Sequence, residues 1–229
     1  MNFHTHSLYS DGKSTIKALV DAALKCDLQF FAITDHFTNS WKAKAISSLD
    51  SSALIQDYLE DISNCQEYLT RKNKSLHLYK GIEIDLGSSY DYIMRLISPE
   101  NFDFILFEYL ESFEGLSFIQ ELVNKWSSSD TLFGLAHFDP SYFLKEDYQT
   151  IIDFFQQNHI FYELNSRYIQ YFSLKDMDFY QILRKKNIPL SIGTDAHLIS
   201  RIDDFDIIYE RISDFQLEKN VLEFLKLLK

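Results

Sequence analysis

The sequence predicts an α/β fold in which seven parallel strands form a barrel. Seven runs of apolar, β-branched or aromatic residues alternate with segments of helical spacing, and such alternation is typical of parallel βαβ units. Polar side chains that suit metal binding end most of these runs, and a barrel forms its active site at the carboxyl ends of its strands. An open doubly wound sheet is the alternative, but it binds ligands at one switch point and would gather side chains from distant strands less easily. The seven runs cover residues 2–7, 28–36, 77–85, 102–110, 131–138, 159–166 and 189–197.

The helices are predicted from apolar residues that recur every three to four positions. The first helix follows Ser14 or Thr15, either of which can cap it, and its apolar face includes the residues from Ala18 to Ala23. Further helical patterns are centred on 51–72, 117–127, 146–157, 174–186 and 203–228, and we expect the last to break near Ser213.

Composition predicts one domain over residues 1–229. The chain has 46% hydrophobic residues, only 3 Pro and 6 Gly, and no linker-like stretch, so disorder is not expected. The formal net charge of -12 repels polyanions, and the basic residues form no stripe, which disfavours an extended nucleic acid as partner. A small phosphorylated molecule is still compatible, because bound divalent cations cancel local carboxylate charge.

No apolar run approaches the length needed to span a membrane. The chain begins in a cluster of candidate ligands, which leaves no room for a signal segment, so we expect a cytoplasmic protein without membrane association. The two cysteines, Cys26 and Cys65, fall in predicted helices without ligand-like spacing and are interpreted as buried thiols.

Two clusters at opposite ends of the chain each place two metal-binding side chains two residues apart. His4 and His6 form one pair, and Asp195 and His197 form the other. In an extended strand, side chains two residues apart point to the same side, so each pair can converge on one ion. Imidazole and carboxylate ligands suit Zn, Mn or Fe, and the absence of cysteine from the clusters argues against a structural zinc site or an iron–sulfur cluster. Other runs end in further candidates: Asp35, His36, Glu83, Asp85, His137, Asp139, Glu163 and Asn165. Asp85 and Asp139 lie beside candidate ligands and are positioned to orient imidazoles, whereas Asp35 is expected to face away because it is adjacent to His36 in a strand. Glu163 and Asn165 share one face, and we expect them to support the ligands or line the pocket and not to bind metal directly.

Together these motifs resemble those of the PHP (polymerase and histidinol phosphatase) family, and the resemblance covers essentially the whole chain. It implies a distorted (β/α)7 barrel that holds two or three divalent metal ions at the carboxyl ends of its strands. The matching signatures are His4-x-His6 with Ser10-Asp11-Gly12, Thr34-Asp35-His36, Gly81-Ile82-Glu83, Ala136-His137, Glu163-Leu164-Asn165 and Gly193-Thr194-Asp195-Ala196-His197.

The resemblance also implies the ligands of each ion, with Glu83, Asp195 and His197 at the catalytic centre. The family usually has a histidine at the end of the fourth strand to complete the second site, whereas this chain has Glu108 there. A carboxylate can replace imidazole on Zn or Mn, so Glu108 is a candidate substitute, and a weakened or empty second site is the alternative. The implied sets are His4, His6, Glu83 and Asp195 for the first ion, Glu83 and His137 with Glu108 for the second, and Asp11, His36 and His197 for the third.

The implied activity is that of a metal-dependent phosphatase acting on a small phosphomonoester, with L-histidinol phosphate as the lead substrate. Closely spaced metal ions lower the pKa of a bound water and polarise phosphoryl oxygens, so a metal-bound hydroxide is the expected nucleophile. A basic side chain should hold the non-bridging oxygens. Arg167 and Arg201 are the candidates by position, and a surface salt bridge is the alternative for each.

Three other functions are compatible with the same motifs. One is hydrolysis of nucleotides or of other sugar-like phosphates. Another is a catalytically impaired barrel that binds metal or a partner protein, and near-complete ligand sets argue against it. The third is an oligonucleotide-cleaving module associated with a polymerase, which the acidic charge disfavours. The sequence does not predict the oligomeric state.

Overall fold

The computed structural model describes residues 1–228 and contains a curled parallel sheet, as the sequence predicts. The strands pair in parallel in the order β1, β3, β4, β5, β6, β7, and β2 pairs with β3 beyond the end of β1. The α/β barrel class is therefore confirmed. The strands are β1 (Phe30–Ile33), β2 (His36–Phe37), β3 (His77–Asp85), β4 (Phe104–Glu108), β5 (Leu132–Leu135), β6 (Ile160–Asn165) and β7 (Leu190–Gly193).

The amino-terminal segment differs from its predicted form. Residues 2–7 do not form a regular strand, because the segment pairs with its neighbours only through isolated bridges, Asn2 with Phe31 and Thr5 with Ala196. On one side, the amide of Ala32 donates to the carbonyl of Asn2 at 2.9 Å, and on the other the amide of Phe3 donates to the carbonyl of Ile192 at 2.8 Å. The segment thus lies between β1 and β7 and closes the sheet into a distorted barrel. The predicted run 28–36 is likewise interrupted, since β1 ends at residue 33 and β2 begins at residue 36.

Helices cover the outside of the sheet. Thr15 caps the first helix by accepting a hydrogen bond from the amide of Ala18 at 3.2 Å. One detail differs from the sequence expectation: α3 is a short helix that the periodicity does not predict. The last helical region breaks near Ser213 as expected, at Gln216, which has a left-handed backbone with φ of 56°. The helices are α1 (Ile16–Lys25), α2 (Ser52–Arg71), α3 (Tyr90–Leu96), α4 (Phe113–Lys125), α5 (Tyr148–Gln157), α6 (Met177–Lys185), α7 (Asp206–Phe215) and α8 (Glu218–Leu225). Among the described residues, no helix combines the length and the apolar character that crossing a membrane requires.

The inside of the barrel holds a small apolar core at the amino ends of the strands. Phe3, Phe104 and Phe161 are all buried there, and Phe224 of α8 packs with its ring centroid 4.9 Å from those of both Phe3 and Phe161. A larger core lies between the outer face of the sheet and the helices. Because side chains alternate between faces along a strand, the residues that follow these aromatic positions at intervals of two also face the barrel interior.

Candidate metal centre

Carboxylates occupy interior positions near the carboxyl ends of three strands. In β4 the series Phe104, Leu106, Glu108 runs from the apolar core to a buried carboxylate, and β6 repeats this change with Phe161 and Glu163. In β3 the corresponding carboxylate is Glu83, which is fully buried. The alternation of the strands therefore brings these acids to the rim where the histidines of the neighbouring segments end.

One group of converging ligand atoms comprises His4, His6 and Asp195. The Nε2 atoms of the two imidazoles lie 3.1 Å apart, and Oδ1 of Asp195 lies 2.8 Å from Nε2 of His6. All three side chains are buried. The first and last segments of the chain thus contribute to one site, as the spacing of the two sequence pairs indicates.

A second group comprises His6, Asp11, His36 and His197. Oδ1 of Asp11 lies 2.9 Å from Nε2 of His197 and 3.6 Å from Nε2 of His36. The rings of His6 and His36 stack with their centroids 4.2 Å apart. His6 therefore belongs to both groups, so the two groups lie side by side.

Glu83 lies at the middle of the centre. Its Oε1 atom is 3.1 Å from Nε2 of His137 and 3.3 Å from Nε2 of His4. Its Oε2 atom is 2.6 Å from Nδ1 of His36 and 3.6 Å from Nε2 of His6. One carboxylate thus reaches histidines of every group, which is the position a bridging ligand requires.

The donor set fits divalent metal ions. Within the described part of the chain, three buried carboxylate oxygens, Asp11 Oδ1, Glu83 Oε2 and Asp195 Oδ1, have no hydrogen-bond partner. Each lies within 3 Å of an imidazole nitrogen, but these contacts lack hydrogen-bond geometry. Buried carboxylate oxygens are rarely left unsatisfied in proteins, and a cation is the partner that oxygen and imidazole nitrogen atoms share.

Burial and mutual charge shift the pKa values of these groups. Burial raises the pKa of Glu83, but the charges of His4 and His36 outweigh it and hold that pKa well below its ordinary value. Burial together with the charge of His36 lowers the pKa of His6 to about 3. For His36, burial is outweighed by the charge of Glu83 and by the close contact with the Glu108 carboxylate, which raise its pKa to about 10. His6 is thus neutral and ready to bind metal at neutral pH, whereas metal binding at His36 would displace a proton.

Glu163 orients two candidate ligands without belonging to any of the converging groups. Its Oε1 atom is 2.9 Å from Nδ1 of His4, and its Oε2 atom accepts a hydrogen bond from the amide of His137 at 2.7 Å. Gly193 makes room for this contact, because a Cβ atom there would overlap Glu163 Oε1 and lie 2.7 Å from Cβ of His4. Asn165 Nδ2 approaches His4 Nδ1 at 3.4 Å. These contacts give Glu163 and Asn165 the supporting position expected from the sequence.

Two candidate ligands adopt a left-handed backbone. His137 has φ of 33° and Asp195 has φ of 45°, and each is the second residue after the end of a strand. Such conformations cost on the order of 1–3 kcal/mol in non-glycine residues and persist where the surrounding structure enforces them. Backbone strain at two positions of one rim is typical of a functional site.

The carboxylate of Asp35 stabilises a loop beside the centre and does not contact a histidine. It accepts hydrogen bonds from the amide of Ser7 at 2.8 Å and from the hydroxyls of Ser7 and Ser10 at 2.6 and 2.5 Å. These bonds fix the loop that carries Asp11. The orientation agrees with the expectation that Asp35, adjacent to His36, faces away from the ions.

Glu108 contacts a lysine that the sequence does not single out. Nζ of Lys42 lies 2.6 and 2.7 Å from the two carboxylate oxygens of Glu108 and 3.2 Å from Nδ1 of His36. Glu108 groups with His36 and Glu83, whereas His137 groups with His4 and Glu83. Lys42 lies on a short turn outside the strands, and no periodicity or motif marks it as part of the centre.

The two candidate arginines differ in their surroundings. Both line a cavity of 400 Å³ beside Asp195 and His197. Nη1 of Arg167 lies 3.1 Å from Oδ2 of Asp195 and 2.7 Å from Nδ1 of His197. Arg201 pairs with Asp204 at 2.7 Å, and its side chain is 67% exposed. The structure therefore places Arg167 at the centre and Arg201 at the outer edge of the cavity.

A second cavity, of 160 Å³, lies on the other side of the centre. His137 lines it, and the ring of Tyr168 lies with its centroid 4.2 Å from that of His137. Tyr109 and Tyr171 line the same cavity, together with the carboxylate residue Asp139. An aromatic group of small size fits such a lining.

Comparison with known proteins identifies the fold and a family. A family model described as PHP domain matches residues 2–177. No match was found among curated proteins. Among solved structures, the chain is similar to one from a study of YwqE from Bacillus subtilis and CpsB from Streptococcus pneumoniae, which are described as unique metal-dependent tyrosine phosphatases; the similarity has a TM-score of 0.62 at 16% sequence identity and covers 99% of this chain and 93% of that chain. At this identity the similarity shows the fold alone.

Proposed function

The chain belongs to the PHP domain family, and on that premise we propose that it is a metal-dependent phosphoesterase that hydrolyses a small phosphomonoester. One observation carries the proposal: nine buried or half-buried imidazoles and carboxylates converge at one rim, and three of their oxygens have no hydrogen-bond partner within the described residues. The fold neighbour described as a metal-dependent tyrosine phosphatase supports the same class of reaction.

Different residues of the centre have different proposed roles in hydrolysis. Histidines and carboxylates from the two groups around His6 would hold divalent ions, Zn, Mn or Fe, with Glu83 between them. Such ions, when bound, polarise phosphoryl oxygens and lower the pKa of a coordinated water. Arg167 is the side chain placed to hold a non-bridging phosphoryl oxygen, since its guanidinium already contacts Asp195 and His197. Glu163 keeps the imidazole of His4 in one orientation.

The tyrosine-lined cavity is the proposed location of the organic half of the substrate. Its lining favours a flat, small group over an extended polymer, and the net charge of -12 repels nucleic acid. L-Histidinol phosphate, expected from the family resemblance, has an imidazole ring of this size, and a phosphotyrosine side chain has a phenyl ring. Both rings are flat and small, so a substrate panel should include both compounds.

Phosphate release from defined substrates tests the proposal. The purified protein is stripped with a chelator, reloaded with Mn, Zn or Fe, and assayed against L-histidinol phosphate, phosphotyrosine, nucleoside monophosphates and an aryl phosphate ester, with a single-stranded oligonucleotide as a further substrate. We expect metal-dependent hydrolysis of at least one monoester. The matched control is Glu83→Gln, which keeps the size of the side chain but should lose turnover and metal. Hydrolysis of the oligonucleotide alone would favour a nuclease, and absence of hydrolysis with every metal would favour an impaired or regulatory barrel.

A further inference from the structure

The ammonium group of Lys42 occupies the position at which a cation would contact Glu108, the carboxylate at the end of β4. Nζ of Lys42 contacts both oxygens of Glu108, at 2.6 and 2.7 Å, and the two side chains are 10% and 1% exposed. The ammonium also lies 5.1 Å from the ring centroid of Tyr109. The buried ammonium thus contacts both carboxylate oxygens of Glu108 and holds the positive charge that another cation would bring there.

The turn that carries Lys42 is anchored to the barrel. The hydroxyl of Thr38 donates to Oδ2 of Asp85 at 2.7 Å, and Ser40 donates to the same carboxylate. Ser40 in turn accepts a hydrogen bond from the amide of Lys42 at 3.1 Å. Asp85 is the last residue of β3, so the strand that presents Glu83 also fixes the segment that presents the lysine. The position of Lys42 is therefore built into the fold.

Local charge explains why a cation is needed at this corner. Glu83 and Glu108 are both buried, and Nδ1 of His36 lies 2.6 Å from the first and 3.4 Å from the second. A buried carboxylate requires a paired positive charge or a metal ion. Lys42 supplies that charge for Glu108. A divalent ion on the same carboxylate would stand beside the ammonium and be repelled by it.

We propose that Lys42 replaces a metal ion at the end of β4, so that the chain holds two tightly bound divalent ions and not three. One ion takes His4, His6 and Asp195, and the other takes Asp11, His36 and His197, with Glu83 shared. Glu108 converges with His36 and Glu83, and Lys42 occupies its carboxylate and keeps it from binding a third ion there. The inference rests on the metal centre of the proposed function and specifies its composition.

The number of retained metal ions tests the inference. Chelator-stripped protein is loaded with Mn²⁺, desalted, and analysed for Mn per chain by elemental analysis. We expect two ions in the wild type and three in Lys42→Met, because loss of the ammonium frees Glu108. Lys44→Met, which removes an exposed lysine of the same turn, should retain two. The double variant Lys42→Met with Glu108→Gln should also retain two, which would assign the added ion to Glu108.

Three ions in the wild type, fewer than two, or an unchanged count in folded Lys42→Met would each overturn the inference. If Lys42→Met does not fold, anomalous diffraction from Mn-loaded wild-type crystals gives the same decision: two peaks, neither within bonding distance of Glu108, support it, and a peak on Glu108 overturns it. Phosphatase activity is not part of this readout. Two retained ions without hydrolysis of any monoester would overturn the proposed function only, whereas a protein that hydrolyses monoesters with three ions would overturn the role of Lys42 only.

Discussion

Replacing Glu163 by glutamine should weaken metal binding while leaving the fold in place. The carboxylate contacts Nδ1 of His4 with one oxygen and accepts the amide hydrogen of His137 with the other. A glutamine has one oxygen, which the main-chain amide of His137 will take because that donor is fixed and buried. The amide NH₂ must then face Nδ1 of His4, which forces the imidazole proton onto Nε2, the atom that faces His6.

The size of the effect follows from which hydrogen bonds the glutamine can still make. Replacing the partner that orients a metal-binding histidine costs 10–100-fold in metal affinity, or about 1.4–2.7 kcal/mol. The fold loses at most one hydrogen bond, worth about 1 kcal/mol, because the amide of His137 keeps its acceptor. We therefore expect this variant to lose metal affinity while its thermal stability changes little.

Competition with a fluorescent chelator measures the Mn²⁺ affinity, and calorimetry of the metal-free protein measures stability. The matched control is Asp176→Asn, which makes the same change at a buried carboxylate that contacts the hydroxyl of Tyr148 at 3.0 Å outside the centre. The control should bind Mn²⁺ as the wild type does. If Glu163→Gln binds Mn²⁺ within twofold of the wild type, Glu163 does not set the orientation of His4.

Two further predictions concern phosphate binding and pH. Arg167→Ala should lower kcat/KM for the monoester by about 10–100-fold, because a charge-assisted hydrogen bond contributes about 1.5–3 kcal/mol. Arg201→Ala should lower kcat/KM by less than about threefold, since its guanidinium is exposed and paired with Asp204. Equal losses in the two variants would contradict this assignment. In the metal-free protein, the pKa of His6 falls from 6.5 to about 3 on folding, so below pH 6.5 the unfolded state binds more protons and stability falls as the pH is lowered. Urea unfolding at pH 6.5 and 5 should show a loss of about 1–2 kcal/mol from this group, and His6→Gln should reduce that loss, with His159→Gln as the exposed control.

The parts of the centre that lie on regular strands could be predicted from the sequence. In β6, Glu163 and Asn165 lie on either side of the apolar Leu164, so the pattern shows that they share one face. In β4 every residue before Glu108 is apolar, so Glu108 follows from its place at the end of the run and from the family resemblance. Strand geometry predicts the pair His4 and His6, and the imidazoles do converge although the segment is not a regular strand. Its backbone is held extended by hydrogen bonds to both edge strands, which preserves the alternation.

The parts that depend on turns could not be predicted in this way. Lys42 reaches the centre only because Asp85, more than forty residues later, anchors the turn that carries it. Arg201 is four residues from His197 in sequence, but the turn between them directs its guanidinium to Asp204. Within a strand or helix, side-chain directions repeat with a known period, so the distance between two residues in sequence predicts whether they are in contact. Side chains in a turn have no such period.

Glu108 and Lys42 are best understood as one change in charge. A histidine at the end of the fourth strand would be a neutral ligand, whereas a glutamate adds one negative charge to a rim that already holds Glu83 and Asp195. An added buried carboxylate is unfavourable unless a positive charge accompanies it. The buried ammonium supplies that charge at 2.6 Å, so the pair has the same net charge as the neutral imidazole it replaces. Glu108 therefore cannot be interpreted alone, since the charge at its position depends on Lys42, which comes from a different segment of the chain.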